Sequence, residues 1–325
     1  MILAADVGGS KTFVGIFERA RPRPRLLEVR ALRTLDFAGL PALLHAAVGD
    51  VRTRVHTVSL GVAGPILDGV ATMTNVPWRV SRGEIAERCG VADVRLLNDL
   101  EAMAHAVTVL HGDELHTLQA GRPSATGNAA LIAAGTGLGE AILHRVDGRM
   151  RPVPSEAGHA DFAARTDADL ALVVALRARF GRVTIEHVVS GPGMVNIARH
   201  THGGTECPVA GNLGAHGAAA RVSTAGSAGA TPSCPYCAAA VDLFVSAYGA
   251  EAGNLALRSV ASAGVYVGGG IAPKMLPALQ SGAFLRAFTD KAPMAALLAD
   301  VPVHVILNDQ AGLVGAAVAA LEPAP

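Results

Sequence analysis

Aromatic residues are scarce in this 325-residue chain, at 4%, with Trp78 the single tryptophan. A core of this size must therefore be built from Val, Leu, Ile and Ala in close-packed layers rather than around rings. Excess charge of either sign is missing too: 27 Lys and Arg stand against 27 Asp and Glu. That leaves no basic footprint for nucleic acid. The one dense basic run, Arg21-Pro22-Arg23-Pro24-Arg25, alternates with proline and reads as an exposed connection. No segment reaches the roughly 18 apolar residues of a membrane span. The first residues have no basic n-region and meet Asp6 too soon for a signal peptide. Four cysteines are too few for a disulfide scaffold in so long a chain. These absences leave a cytoplasmic protein with no membrane or nucleic-acid partner as the expectation, and the length suggests two lobes.

What is present is a set of buried strands that stop at glycine or at short polar residues. Ile2-Leu3-Ala4-Ala5 ends at Asp6-Val7-Gly8-Gly9-Ser10 before Phe13-Val14-Gly15-Ile16-Phe17 resumes, which predicts a hairpin. Ala129 to Ala134, Gly135-Thr136-Gly137-Leu138-Gly139 and Ala141-Ile142-Leu143 repeat that form. Such a repeat suggests two lobes of related topology. Val265-Tyr266-Val267 runs into Gly268-Gly269-Gly270 as a third such turn. One glycine turn is ordinary; three, each directly after a buried strand, suggest backbone amides gathered for a nucleotide's phosphates. Neither a Walker motif nor a dinucleotide fingerprint fits the spacing, since Ser10 rather than Gly precedes Lys11.

Arg95-Leu96-Leu97-Asn98-Asp99 is a strand running straight into the helix-period pattern Leu100, Met103, Ala104, Val107. Asn98-Asp99 suits a helix cap, and it also lies where an open α/β sheet presents its chemistry. Pro154-Ser155-Glu156-Ala157-Gly158-His159 sets a carboxylate and an imidazole three residues apart in a loop. With Asn75, Asn98, Asp99 and Glu186, these groups form a polar set suited to a polyol, which needs many fixed donors and acceptors. Further along, helical periodicity covers Asp169 to Phe180, Val188 to Arg199, Ala238 to Val260 and Gln310 to Leu321, while residues 203–233 read as a loop with one helix. Cys234-Pro235-Tyr236-Cys237, with Cys207 and either His200 or His202 upstream, has ligand types for a structural zinc. The Gly/Ala-rich separation is not a recognised zinc spacing, and buried thiols at a helix start are the competing reading.

Asp6-Val7-Gly8-Gly9-Ser10, Leu97-Asn98-Asp99, Gly135-Thr136-Gly137-Leu138-Gly139, Glu156-Ala157-Gly158-His159, Ser190-Gly191-Pro192-Gly193 and Gly268-Gly269-Gly270-Ile271 follow one another in the order and spacing of bacterial-type glucokinases. The chain resembles that family from Asp6 to Gly315. Met73-Thr74-Asn75 with Trp78, and Glu186 ahead of Ser190-Gly191-Pro192-Gly193, narrow the resemblance from sugar kinases at large. It implies an α/β protein with the two-lobed, actin-like ATPase (ribonuclease H-like) fold. A small α/β domain, 1–109 completed by 302–325, would face a larger α+β domain, 110–301, across a cleft. It further implies phosphorylation of glucose by ATP with Mg²⁺, in a homodimer.

By the same resemblance Ala5, Asp6, Val7, Gly8, Gly9, Ser10, Gly135, Thr136 and Gly137 flank the ATP phosphates, and Gly269 and Gly270 lie beside adenosine. Asp6 is the carboxylate near Mg²⁺. Asn75, Asn98, Asp99, Glu156, His159 and Glu186 hold the sugar, with Asp99 as base. A related repressor and kinase group binds zinc on a Cys-x-Cys element that this chain lacks, which counts against zinc here. The readings set beside this one are a kinase for another hexose or an N-acylated hexosamine, a non-catalytic sugar sensor, and an actin-like filament former.

Overall fold

The computed structural model describes residues 1–49, 55–73 and 76–322. The chain divides into two units: Met1–Glu114 with Met150–Pro154 and Asn308–Pro325, and Leu115–Arg149 with Ser155–Leu307.

In the first unit, strands β1 (Ile2–Val7), β2 (Lys11–Glu18), β3 (Arg25–Arg33), β4 (Thr57–Val62) and β8 (Asp93–Asn98) form one sheet in the order β3-β2-β1-β4-β8. The small strands β5 (Ile66–Leu67), β6 (Val70–Thr72) and β7 (Arg79–Ser81) make a separate antiparallel sheet. β1 pairs antiparallel with β2 and parallel with β4, which pairs parallel with β8. Side chains alternate across a strand, so β1 serves two cores. Leu3, Ala5 and Val7 join Leu40, Leu43 and Leu44 of α1 (Leu40–Val48) and Ile85 of α2 (Arg82–Cys89). Ile2 and Ala4 join Ala102 of α3 (Asp99–Val107) and Leu313, Ala316 and Ala317 of the last helix, α11 (Ala311–Ala319). Asp6 continues the second face, and is thereby aimed at α3 and α11.

Helix α11 is tied down at both its side and its end. A Cβ on Gly315 would lie 1.7 Å from the Ala102 carbonyl oxygen, so only glycine permits this approach to α3. Beyond its last turn, guanidinium groups of Arg95, Arg19 and Arg21 donate to the carbonyls of Ala319, Ala320 and Leu321 at 2.5, 3.2 and 2.8 Å. Cations at a helix C-terminus satisfy orphan carbonyls and oppose the dipole. The arginine-proline run is thus a set of internal ties as much as a connection. Arg23 makes a two-pronged pair with Glu114 at 2.6 and 2.9 Å, and Arg25 meets Glu18 at 2.6 Å. The Arg23 guanidinium holds the Glu114 carboxyl down at about 2.

In the second unit, β9 (Leu115–Gln119), β10 (Ala129–Ala134), β11 (Leu138–Val146), β15 (Gly264–Gly268) and β16 (Val303–Ile306) run in the order β11-β10-β15-β16-β9. β10 pairs antiparallel with β11 and parallel with β15, as β1 does with β2 and β4. The expected repeat of topology is therefore real. Strand β12 (Arg149–Ser155) follows β11 in the chain, with its Met150–Pro154 counted in the first unit, and β13 (Glu206–Cys207) and β14 (Gly211–Asn212) make a short hairpin. Helices α4 (Asp167–Phe180), α5 (Gly191–His202), α6 (Ala218–Gly226), α7 (Pro235–Ser259), α8 (Leu276–Leu279), α9 (Ala283–Thr289) and α10 (Ala295–Asp300) complete the unit. The buried α7 carries Phe244 and Tyr248 into the core.

Two stretches differ from the sequence pattern for local reasons. The stretch from Val188 is not yet helix; α5 begins at Gly191, because the Ser190 hydroxyl accepts from Gly193 N at 2.9 Å and fixes the start there. Residues 203–233 hold the β13–β14 hairpin as well as α6, since runs of Gly, Ala and Ser carry little periodicity.

Glu140 of β11 lies in the second unit's interior with both oxygens unbonded to any donor among the described residues. Arg258 stands 3.6 Å away but sits closer to Glu251, at 2.8 Å. Burial, then the Glu251 charge, pushes the Glu140 carboxyl up to about 8 against the opposing pull of Arg258. A raised acid stabilises the fold below its unfolded value, and that contribution is lost as pH rises through 8. Glu140→Gln should therefore melt higher than the wild type above pH 8, with the difference shrinking toward the acid side. Thermal melts across that range check it; parallel curves for the two proteins would count against a titrating Glu140.

Candidate active site

The first unit gathers its polar residues at the carboxyl ends of β1, β4 and β8. Register places Asp6 beside Gly61 and Gly61 beside Leu97, one residue short of Asn98. The turn from Gly8 to Ser10 closes the β1–β2 hairpin, with Gly8 N donating to the Lys11 carbonyl at 3.1 Å. Thr34 braces this turn: its hydroxyl donates to the Gly8 carbonyl at 2.7 Å and its backbone N to the Ser10 carbonyl at 3.2 Å. With its proton so used, Thr34 accepts from the Thr12 hydroxyl at 2.9 Å. Both threonines are fully buried. Neither Thr12, within β2, nor Thr34, at the start of the 3-10 turn Thr34–Asp36, leaves a periodic mark in the sequence.

Asn98 is the cap of α3. Its Oδ1 accepts from Leu100 N at 2.9 Å and Glu101 N at 3.4 Å, while Glu101 returns a bond to Asn98 N, completing a capping box. Its Nδ2 donates to the Gly64 carbonyl at 3.4 Å. Asp99 follows in the first helical turn, with Oδ1 accepting from Leu100 N at 3.0 Å. Asp6 comes under its influence: burial pushes the Asp6 carboxyl up to about 7, and the neighbouring Asp99 charge adds to the rise. Room for Asp6 is made by Gly312 of α11, where a Cβ would stand 2.4 Å from a carboxylate oxygen. Asn75 lies outside the described residues.

The second unit assembles a matching set. In the turn after β10, Gly135 N donates to the Gly137 carbonyl at 2.8 Å, and Gly191 N at the head of α5 donates to the Gly135 carbonyl at 2.8 Å. Thr136 is exposed at the tip. Glu186 reaches the same turn, its Oε2 accepting from Leu138 N at 2.8 Å. Its Oε1 lies 4.0 Å from His159 Nδ1. The carboxylate thus positions a turn as well as facing an imidazole, a double use that charge patterning could not reveal. Glu156 and His159 are both exposed around the short 3-10 turn Ala157–His159, with His159 N donating to the Glu156 carbonyl at 3.0 Å. The Arg182 guanidinium donates to the His159 carbonyl.

Gly269 and Gly270 follow β15, the parallel neighbour of β10. Gly269 has φ +81°, and Ile271 N donates to the Ala134 carbonyl at 3.2 Å, so this turn leans on the end of β10. Tyr248, fully buried in α7, fastens the two strand ends. Its hydroxyl accepts from Ala134 N at 3.2 Å and lies 3.3 Å from the Gly268 carbonyl it can donate to. No sequence signal singled it out, since a tyrosine among apolar helix residues reads as core. Tyr248→Phe leaves the buried Ala134 N–H without its acceptor, a cost of about 1–3 kcal/mol. We expect a lower Tm; an unchanged melt would remove the hydroxyl from this role.

A model of the glucokinase family matches residues 3–323. The chain belongs to the glucokinase family. Among its relatives, a glucokinase of Nostoc sp. is 34% identical, with 98% of each chain covered. The crystal structure of a glucokinase from an Antarctic psychrotroph superposes with a TM-score of 0.82 at 29% identity, covering 98% of each chain. A ROK-family glucokinase from Streptomyces griseus, solved with glucose and AMPPNP, shares the fold at a TM-score of 0.66 and 21% identity, again over 98% of each chain. The family's actin-like ATPase and hexokinase fold is thus the fold of this chain. Its members are enzymes, and no helix among the described residues is long and apolar enough to cross a membrane.

Proposed function

We propose that this chain transfers the γ-phosphoryl group of MgATP to the 6-hydroxyl of glucose, with Asp99 as general base. One observation carries the reading within the family. Asp99 stands at the head of α3, at the carboxyl end of β8, close enough to Asp6 to raise its pKa. Asp99 accepts the hydroxyl proton as the oxygen attacks phosphorus. The transition state of such transfers is loose, so alignment and charge stabilisation contribute more than the strength of the base.

The remaining roles follow from the chemistry of each group. Asp6 fits the magnesium of the nucleotide: a carboxylate kept partly protonated by burial and by a like charge gains most when a hard divalent cation arrives. The backbone amides of Gly9 and Ser10 and of Thr136 and Gly137 suit phosphate oxygens, while those of Gly8 and Gly135 shape the two turns from within. Gly269 and Gly270 leave space for adenosine. Glu156, His159 and Glu186 offer acceptors and a ring nitrogen for sugar hydroxyls, together with Asn75 and the remaining amide proton of Asn98. Assembly as a homodimer and a cytoplasmic location belong to the same proposal on family resemblance, and sedimentation equilibrium tests the first.

The deciding experiment is a coupled assay of ADP release from MgATP with and without glucose, with glucose 6-phosphate measured directly. Glucose-dependent release with stoichiometric sugar phosphate is the expected result. Release that glucose leaves unchanged would reject the proposal.

A further inference from the structure

We propose that His202, Cys207, Cys234 and Cys237 bind one structural zinc ion in the second unit, remote in sequence from the residues assigned to catalysis. The four come from three elements. His202 is the last residue of α5, Cys207 ends β13, Cys234 caps α7 and Cys237 lies in its first turn. Their ligand atoms all lie within 4.8 Å of one another.

Four of the six ligand–ligand distances are close to the edges of a metal tetrahedron. Zinc bound at about 2.3 Å to sulfur and about 2.0–2.1 Å to nitrogen sets S···S edges of about 3.8 Å and S···N edges of about 3.6 Å. Cys207 Sγ stands 3.8 Å from Cys234 Sγ and 3.7 Å from Cys237 Sγ. His202 Nε2 stands 3.4 Å from Cys234 Sγ and 3.9 Å from Cys237 Sγ. All four cysteines of the chain are free thiols here, and a disulfide would need sulfurs at about 2.05 Å.

The surroundings are arranged for a ligand role. His202 Nδ1 lies 2.7 Å from the Ala198 carbonyl, an acceptor only, so Nδ1 carries the proton and Nε2 turns its lone pair toward the sulfurs. A second nitrogen bound to a backbone carbonyl is the usual orienting contact of a metal-bound histidine. Ala210 N donates to Cys207 Sγ at 3.2 Å, a bond that favours thiolate. The cysteines are buried, so no loose ligand shell is on offer, and three thiolates with one imidazole select zinc over magnesium or calcium. Binding drives the thiol protons into solvent and leaves the histidine neutral.

Such an ion would staple α5, β13 and α7. Those helices carry Gly191, which holds the Gly135 turn, and Tyr248, which holds the end of β10. The absence of a Cys-x-Cys element was therefore no argument against zinc, because the fold supplies the four ligands from three places.

The test measures metal, so its outcome is independent of the kinase reading. Full-length protein, expressed with zinc and desalted without chelator, should carry about one zinc per chain by mass spectrometry. Cys237→Ser and His202→Gln should bring that to near none, while Cys89→Ser keeps it. In case the variants fold poorly, wild-type protein exchanged with cobalt should show thiolate charge-transfer bands and the intense visible bands of a tetrahedral site. Chelation should then lower Tm and open the thiols to a colorimetric reagent. Wild-type protein that takes up no stoichiometric zinc and gives no tetrahedral cobalt spectrum overturns the proposal. So does a disulfide among these cysteines in freshly prepared, unreduced protein.

Discussion

Asp99→Asn should lower kcat by about 10²–10⁴-fold, the range of a positioned general base, while glucose binding measured by calorimetry stays close to that of the wild type. The substitution preserves size and can still accept the bond from Leu100 N. Asn98 keeps its capping box, so the helix head survives. The stability cost is limited to one carboxylate lost from the first helical turn, about 0.3–1 kcal/mol. A second readout separates base loss from misfolding. Without the Asp99 charge, the Asp6 carboxyl should titrate lower than about 7, since that charge adds to the rise. Near-normal turnover would refute the assignment, and a loss confined to glucose affinity would make Asp99 a sugar-holding group instead.

Gly269→Ala should be a strongly damaging single methyl group in the second unit. The residue sits at φ +81°, where an L side chain costs roughly 1–2 kcal/mol. The new Cβ would lie 2.4 Å from the Ala134 carbonyl oxygen and 2.9 Å from the Ala134 carbon and nitrogen. These are backbone atoms at the end of β10, so relief requires moving the strand that feeds the Gly135 turn. Overpacking of this kind adds about 1–3 kcal/mol. We expect a lower Tm and a nucleotide KM raised by about tenfold or more, since 1.4 kcal/mol corresponds to a factor of ten. Gly270→Ala is the control for the melt alone, because no protein atom lies within 4 Å of its added Cβ, whereas its place beside adenosine leaves KM open to change. Equal melting of the two variants would show that the close approach at Gly269 is not what matters.

Much of this site was legible because its residues interrupt strong patterns. Asn98-Asp99 falls where strand alternation changes to helical period, and both hairpin turns follow fully apolar strands, so punctuation and chemistry coincide. The hairpin of β1 with β2 and its counterpart of β10 with β11 were visible for the same reason, whereas the parallel pairing of β4 and β15 with them was not. What stayed hidden depends on contacts made across the chain. Thr34 bracing Gly8, Glu186 bracing Leu138, and Tyr248 joining two strand ends have no local signature. The gathering of the cysteine and histidine cluster has no local signature either, because its members lie far apart in the chain. His202 and Cys237 are neighbours only after α5 and α7 have packed. Ser190 likewise advertised itself in a motif, but its capping bond decides where α5 starts.

The capped helix α11 imposes an order on the making of this protein. A ribosome releases Asp6 and Asp99 long before it releases Leu313, Ala316 and Ala317, which cover their face of β1. The second unit runs from Leu115 to Leu307 apart from Met150–Pro154, so its core can close while the nascent chain is still attached. The first unit must wait, with that apolar face exposed, for its final helix to emerge and meet Arg19, Arg21 and Arg95. The usual sequence, in which the N-terminal part of a growing chain folds first, is inverted here. Chains halted near Leu307 would carry a finished second unit and an unfinished first one, and the setting proposed for Asp6 and Asp99 becomes a late product of translation.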